Sequence, residues 1–176
     1  MNSRRCLRSN ASIALSISSR GTGRPVERLH KDLRELLELF ASNNVDFVVV
    51  GGHAGAFLGY SRFTEDIECF VRPTIANGER IVSALAAFGF GSLEVSAADV
   101  AADDRMIQLG RAPNRVDLLT RIYDLPFDEA WATKVQGNLD GVPVWFIART
   151  PLLRNKRATA RPQDIADADF LEKLSG

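Results

Sequence analysis

The sequence predicts a single domain of the α/β or α+β class, with helices flanking a mixed β-sheet. Short β-branched runs alternate along the chain with segments whose apolar residues recur at helical spacing. Later strand candidates are separated by turn residues, which favours antiparallel pairs. The chain has 176 residues, 45% of them hydrophobic and 25% charged, which suits one globular domain with a substantial core.

The first predicted elements are a helix and a buried strand. Pro25 suits the first turn of a helix, and Asn43-Asn44 is expected to end it. Between them, the apolar residues at helical spacing are Val26, Leu29, Leu33, Leu36, Leu37 and Phe40. The continuous run 47–50 then predicts a strand that is buried on both faces.

The remaining elements follow from the same patterns. A Gly-Gly turn and a short helix lead into a second strand that ends at Pro73. Residues 92–104 are ambiguous, and Asp140-Gly141 is typical of a hairpin turn. The other predictions are a helix over 75–88 capped by Gly89, strands over 106–109 and 115–119, a helix over 126–135, a strand over 142–147, a helix beginning near Pro151, and a last helix capped by Asp164.

Composition excludes several classes of protein. The formal net charge is zero, which gives no support to a general nucleic-acid-coating role. The two cysteines, Cys6 and Cys69, cannot form a disulfide framework and fit a reducing compartment. No apolar run approaches the roughly 20 residues that span a membrane. We therefore expect a cytoplasmic protein.

Residues 1–24 differ from the rest of the chain, because they are rich in arginine and serine and contain no acid. We expect a disordered N-terminal tail here, followed by the domain over residues 25–176. A targeting segment is the alternative interpretation.

Two acids stand at the start of the second strand. Asp66 and Glu68 are two residues apart, so both side chains leave the same face of the strand. Asp117 alternates with apolar neighbours in a later strand, and it would join them if the two strands are adjacent. Three carboxylates on one face can hold Mg²⁺ ions for phosphoryl transfer. The alternative is that each acid is simply a solvated strand residue.

The glycine turn that precedes these acids is a candidate phosphate site. Gly51-Gly52 lies between a strand and a helix, where backbone N–H groups can approach an anion. Thr64 and Arg62 come just before Asp66, and Arg62 can hold a triphosphate or pair with an acid. Near the C-terminus, Lys156 lies in a basic cluster with Arg154, Arg157 and Arg161. This cluster can bind a triphosphate or an RNA, or form a solvated helix face, with Asp164 and Asp167 pairing with Lys156 or Arg161.

These features together resemble the DNA polymerase β-like nucleotidyltransferase superfamily, and in particular its small bacterial AbiEii-type group. The resemblance covers about residues 28–174. Three groups of residues carry it: Gly51-Gly52 with Gly59-Tyr60, Arg62, Thr64 and Asp66-Ile67-Glu68; the segment 114–119 with Asp117; and the segments 155–158 and 161–167. Glu68 stands where the family pattern has aspartate, and Gln163 stands where relatives often have lysine.

The resemblance implies the nucleotidyltransferase fold and transfer of an NMP from an NTP to an unknown acceptor. It assigns Asp66, Glu68 and Asp117 to catalysis and to Mg²⁺ or Mn²⁺. It assigns nucleotide binding to Gly51, Gly52, Arg62, Thr64 and Lys156. The implied acceptor is a tRNA, a protein or a small molecule, and the implied setting is a toxin–antitoxin pair. At this chain length, self-association is also plausible. The alternative is a catalytically impaired nucleotide-binding or protein-interaction domain that retains the fold, because Glu68 is longer than aspartate.

Overall fold

A mixed β-sheet lies at the centre of the molecule, with helices packed against it. The computed structural model describes residues 31–60, 64, 66–91, 94–111 and 114–174. Within these residues the sheet has six strands in the order β3-β4-β2-β1-β6-β5. The strands are β1 (Phe47–Val49), β2 (Asp66–Val71), β3 (Met106–Arg111), β4 (Asn114–Leu119), β5 (Val135–Leu139) and β6 (Val142–Phe146).

Helices and strands are mixed along the chain, as predicted for an α/β or α+β domain. The helices are α1 (Lys31–Ser42), α2 (Gly51–Phe57), α3 (Ile75–Leu85), α4 (Ala97–Ala101), α5 (Phe127–Thr133), α6 (Arg149–Thr159) and α7 (Pro162–Lys173), and a π-helical turn, Ala86–Phe90, follows α3. The single mixed domain predicted from the sequence is therefore confirmed. No helix in the described ranges is both long enough and apolar enough to cross a membrane.

The first helix and strand form as their sequences predict. In α1 the apolar residues at helical spacing are buried against the sheet, and Asn44 has φ 55° just after the helix ends. Asparagine tolerates this left-handed conformation better than most residues, so it suits a helix end. Strand β1 is buried along its whole length. The start predicted at Pro25 and the tail predicted over 1–24 lie outside the described residues.

Two predictions near turns have clear outcomes. Asp140 and Gly141 have φ values of 48° and 89°, and they join Leu139 to its partner Val142. Positive φ at both central residues is the type I′ hairpin geometry, so the hairpin prediction is confirmed. The prediction that Asp164 caps the last helix is wrong. Helix α7 begins at Pro162, and the Asp164 carboxylate accepts hydrogen bonds from α6 instead.

The ambiguous segment contains the short helix α4. Ser96 caps it by accepting a hydrogen bond from the Asp99 backbone N–H, while the Asp99 carboxylate accepts one from the Ser96 N–H. This reciprocal pair satisfies two helix-end donors, which stabilises a helix of only five residues.

The pairing of the central strands decides which side chains meet. Strand β2 is antiparallel to β1 and parallel to β4. The antiparallel pairing brings the C-terminal end of β1, and with it the start of α2, beside the beginning of β2, where the Val50 N–H donates to the Glu68 carbonyl at 2.9 Å. The glycine turn and the paired acids are therefore adjacent in space.

Candidate active site

Three carboxylates lie on one face of the sheet. Glu68 of β2 is directly opposite Asp117 of β4 in the parallel register, and Asp66 lies two residues before Glu68. Residues opposite each other in a ladder point to the same face, so the prediction that the three acids share one face of the sheet is confirmed. Ile67 points the other way and is fully buried in the core, as expected.

Asp117 is more enclosed than its position in the sequence suggests. It faces away from the apolar core, but the residue is only 3% exposed. Burial raises the pKa of Asp117 above its ordinary range, while the Arg115 guanidinium lowers it in part. A buried carboxylate with a raised pKa is a stronger base than one on the surface.

Arg115 lies among these acids, and the sequence-based prediction missed it. Its register partner is Asp66, and its Nη2 donates a hydrogen bond to the Asp66 carboxylate. Its Nε lies 3.1 Å from Oδ1 of Asp117. The alternation of Arg115 and Asp117 along β4 shows that they share a face, but only the pairing with β2 places Asp66 beside them.

The glycine turn accommodates Glu68. Gly51 has φ +61°, and a Cβ at this position would overlap the Glu68 carboxylate and lie 2.6 Å from its Cδ. Glycine is thus required here for both its backbone conformation and its lack of a side chain. The longer arm of Glu68 places its carboxylate against the backbone of the turn.

The side chain of Thr64 occupies the space that a side chain at Gly52 would need. A Cβ at Gly52 would lie 2.9 Å from the Thr64 Cβ. The Thr64 hydroxyl donates to Oδ1 of Asp66 at 3.0 Å and so orients that carboxylate. Arg62, the other predicted nucleotide-binding residue in this segment, lies outside the described residues.

His53 follows the glycines in α2 and is buried. Burial lowers its pKa, which the nearby Asp66 carboxylate raises only in part. The imidazole is therefore neutral at pH 7 and adds no positive charge beside the acids.

Lys156 is held in a buried ion-pair network between α6 and α7. Its Nζ donates to Asp167 at 2.7 Å and to Asp164 at 3.0 Å. The Thr159 hydroxyl donates to the second oxygen of Asp164 at 2.8 Å. The predicted pairing that sets the last helix in place is confirmed. Nucleotide binding by Lys156 stays a prediction.

The neighbouring basic side chains of α6 are also paired with acids. Arg154 donates two hydrogen bonds of 2.8 Å to Glu129. Arg157 lies 2.6 Å from Asp169 and 3.0 Å from Glu172. Within the described part of the chain, the positive charge of this helix is therefore largely compensated.

Charge on the site face is strongly negative around Glu68. Burial raises the pKa of Glu68, and the Asp66 carboxylate raises it further, whereas the charge of Lys156 lowers it. A cation between the acids would relieve this repulsion.

The donor set suits a divalent cation by its chemistry, although the acids do not converge. Carboxylate oxygens with a neighbouring hydroxyl are the hard ligands that Mg²⁺ and Mn²⁺ prefer. Oδ1 of Asp117 is buried and makes no hydrogen bond of acceptable geometry to any residue that the structure describes, although Nε of Arg115 lies 3.1 Å from it. However, no three histidine, cysteine or acid side chains in the described ranges are close enough together to hold a metal ion.

Solved structures with the same architecture identify the fold. The antibiotic-resistance factor ANT(2'')-Ia matches with a TM-score of 0.51 and 11% identity, over 82% of this chain and 83% of its own. The lincosamide antibiotic adenylyltransferase LnuA, solved with lincomycin bound, matches with a TM-score of 0.50 and 13% identity, over 83% of this chain and 98% of its own. The chain has the nucleotidyltransferase fold. No family model and no curated protein matches the sequence.

This fold assignment agrees with the class implied by the sequence motifs, while identities of 11% and 13% leave the subgroup unassigned. The AbiEii-type resemblance therefore remains a hypothesis. The roles of the site residues likewise rest on their chemistry and geometry in this chain.

Proposed function

We propose that this chain is a metal-dependent nucleotidyltransferase that moves the NMP of an NTP to an acceptor hydroxyl. The observation that supports it most strongly is the parallel register of β2 and β4. This register puts Asp66, Glu68 and Asp117 on one face, beside the Gly51-Gly52 turn, in a nucleotidyltransferase fold.

In the proposed reaction, the acceptor oxygen forms a bond to the α-phosphorus while the bond from that phosphorus to the bridging oxygen of the β-phosphate breaks. Pyrophosphate leaves, and Asp117 accepts the hydroxyl proton, a role that its raised pKa favours. Asp66, Glu68 and Asp117 would bind Mg²⁺ or Mn²⁺, which neutralises charge on the phosphates. Thr64 holds the Asp66 carboxylate in place.

The triphosphate would bind on the side of the acids where the glycine turn begins α2. Gly51, Gly52, Arg62, Thr64 and Lys156 are the proposed nucleotide-binding residues. Lys156 is included because it lies in the segment 155–158 that resembles a motif of the superfamily. Asp164 and Asp167 already neutralise the charge of Lys156. Lys156 would therefore contribute to nucleotide binding by holding α6 and α7 beside the site.

The acceptor class is the open part of the proposal. A tRNA end, a partner protein in a toxin–antitoxin pair and a small hydroxylated molecule all present a suitable hydroxyl. LnuA is a lincosamide adenylyltransferase, which makes a small-molecule acceptor worth including. The compensated charge of α6 gives no particular support to a long polyanion. Self-association would be one way to complete an acceptor site.

A second candidate is a nucleotide-binding or protein-interaction domain that retains the fold but no longer transfers nucleotides. Two observations favour it. Arg115 already pairs with Asp66 and Asp117, and Glu68 contacts Gly51 instead of converging with the other acids.

Transfer of label from α-labelled NTP distinguishes the two candidates. The four nucleotides are each incubated with Mg²⁺ or Mn²⁺ and with bulk tRNA, lysate protein or an antibiotic panel. The proposal predicts metal-dependent labelling of one acceptor class that Asp66→Asn abolishes. Metal-dependent binding of NTP without transfer to any acceptor would favour the second candidate. No binding of NTP with either metal would reject both nucleotide-based proposals.

A further inference from the structure

Arg115 contacts two of the three acids from the middle of the cluster. Its guanidinium donates to Asp66 through Nη2 and lies 3.1 Å from Asp117 through Nε. The three acids carry three negative charges, and this guanidinium is the positive charge in direct contact with two of them among the described residues. A divalent cation bound by Asp66 and Asp117 would therefore need the carboxylate oxygens that the Arg115 guanidinium contacts.

The contact with Asp117 is electrostatic but badly oriented. Neither Nε of Arg115 nor Oδ1 of Asp117 makes a hydrogen bond of acceptable geometry within the described residues, although both atoms are buried. A guanidinium makes its strong contacts through well-aligned N–H···O hydrogen bonds, and the contact between Arg115 Nε and Asp117 Oδ1 lacks one. This half of the ion pair is therefore the half that a metal ion would replace most readily.

The side chain of Arg115 also has room to leave. It is 32% exposed, whereas the side chain of Asp117 is 5% exposed and fixed in the sheet. A rotation of the long arginine side chain toward solvent would free the carboxylates without moving either strand.

We propose that Arg115 is the resident counter-ion of the acid cluster, and that its guanidinium must leave Asp66 and Asp117 before a divalent cation can bind them. The proposal rests on the metal-dependent function proposed above. It makes Arg115 a competitor of the metal ion.

Calorimetric titration of Mn²⁺ into the purified full chain tests this competition without any measurement of activity. Arg115→Gln removes the positive charge of the guanidinium, and Arg80→Gln is the matched control. Arg80 contacts Asp46 at 4.0 Å and lies beyond the far end of β1, so its loss changes net charge equally without touching the acids. We expect Arg115→Gln to bind Mn²⁺ about tenfold more tightly, the effect of removing one close charge contact.

A second measurement uses the wild-type protein and does not depend on how the variants fold. The Nε–H resonance of Arg115, assigned by its absence from Arg115→Lys, is followed during titration with diamagnetic Mg²⁺. The proposal predicts a shift toward the position of a solvated guanidinium, saturating with the metal-binding curve.

The outcomes separate this proposal from the function on which it rests. Tighter Mn²⁺ binding by Arg115→Gln with an unchanged Arg80→Gln, or a saturating Arg115 shift, supports it. Equal or weaker binding by Arg115→Gln, with an unmoved Arg115 resonance while the wild type binds metal, overturns it and leaves the proposed function intact. No metal binding by wild type or Arg115→Gln overturns both.

Discussion

The close contact between Gly51 and Glu68 predicts that the two residues are energetically coupled. Gly51→Ala introduces a Cβ at a position with φ +61°, where it would lie 2.6 Å from the Glu68 Cδ. The backbone conformation alone should cost about 1–2 kcal/mol for alanine. Displacing the carboxylate from its site should add about 1–3 kcal/mol.

Gly89→Ala is the control for the backbone contribution. Gly89 has φ +98°, and apart from its own neighbours in the sequence and the backbone of its helix, no atom of the described residues would lie within 4 Å of an added Cβ there. It should therefore show the strain of a positive φ without a collision. In a Glu68→Ala background the collision disappears, so the loss of unfolding free energy caused by Gly51→Ala should fall to about the loss caused by Gly89→Ala.

Urea unfolding of the wild type, both single variants and the double variant measures this coupling. We expect Gly51→Ala and Glu68→Ala to be non-additive by about 1–3 kcal/mol, with the double variant more stable than the sum predicts. Additivity within about 0.5 kcal/mol would show that the Glu68 carboxylate does not lie against Gly51, and would refute the reasoning.

Three further predictions concern the buried charges. Lys156→Met should lower the free energy of unfolding in urea by about 3–5 kcal/mol, because it leaves the buried Asp167 and the half-buried Asp164 without their cation. An unchanged stability would contradict the network, and Lys173→Met on the exposed end of α7 is the control. The pKa of Asp164 is lowered, since hydrogen bonds from Lys156 and a neighbouring threonine outweigh its burial. The contribution of the Asp164 carboxylate to protein stability should therefore be complete above the unfolded pKa of about 3.9, and it should be lost as pH falls through the folded pKa. The difference in unfolding free energy between wild type and Asp164→Asn should shrink below about pH 4. A difference that stays constant with pH would contradict this prediction. Glu68→Asp withdraws the carboxylate from the glycine turn and should tighten Mn²⁺ binding in calorimetry; unchanged or weaker binding would show that the longer side chain does not limit the site.

Local patterns in the sequence were sufficient for most elements and for the acid pair. The alternation of Asp66, Ile67 and Glu68 fixes which faces they occupy in any strand. Asp140-Gly141 specifies its turn through positive φ at both residues. These predictions succeed because the physical cause lies within a few residues of the feature.

The features of the site that were not predicted from the sequence depend on pairing between strands that are far apart in the chain. Asp66 and Arg115 are 49 residues apart, and nothing local shows that β4 lies beside β2 in a register that makes them partners. The burial of Asp117 follows from the same pairing. Helix α4 was missed for a different reason, since five residues are too few to show helical periodicity and only its capping residues, Ser96 and Asp99, mark it.

Metal-dependent binding of a non-hydrolysable NTP analogue is the measurement that tests the central claim most directly, because it needs no acceptor. Equilibrium binding with Mn²⁺ is compared for wild type, Asp66→Asn, Asp117→Asn and Asp103→Asn, the last being an exposed acid paired with Arg121 away from the three carboxylates. The three-carboxylate site predicts binding by wild type and Asp103→Asn that falls at least about tenfold in both site variants, since each loses a charged ligand contact. Binding that is equal in all four proteins, or independent of Mn²⁺, would contradict it.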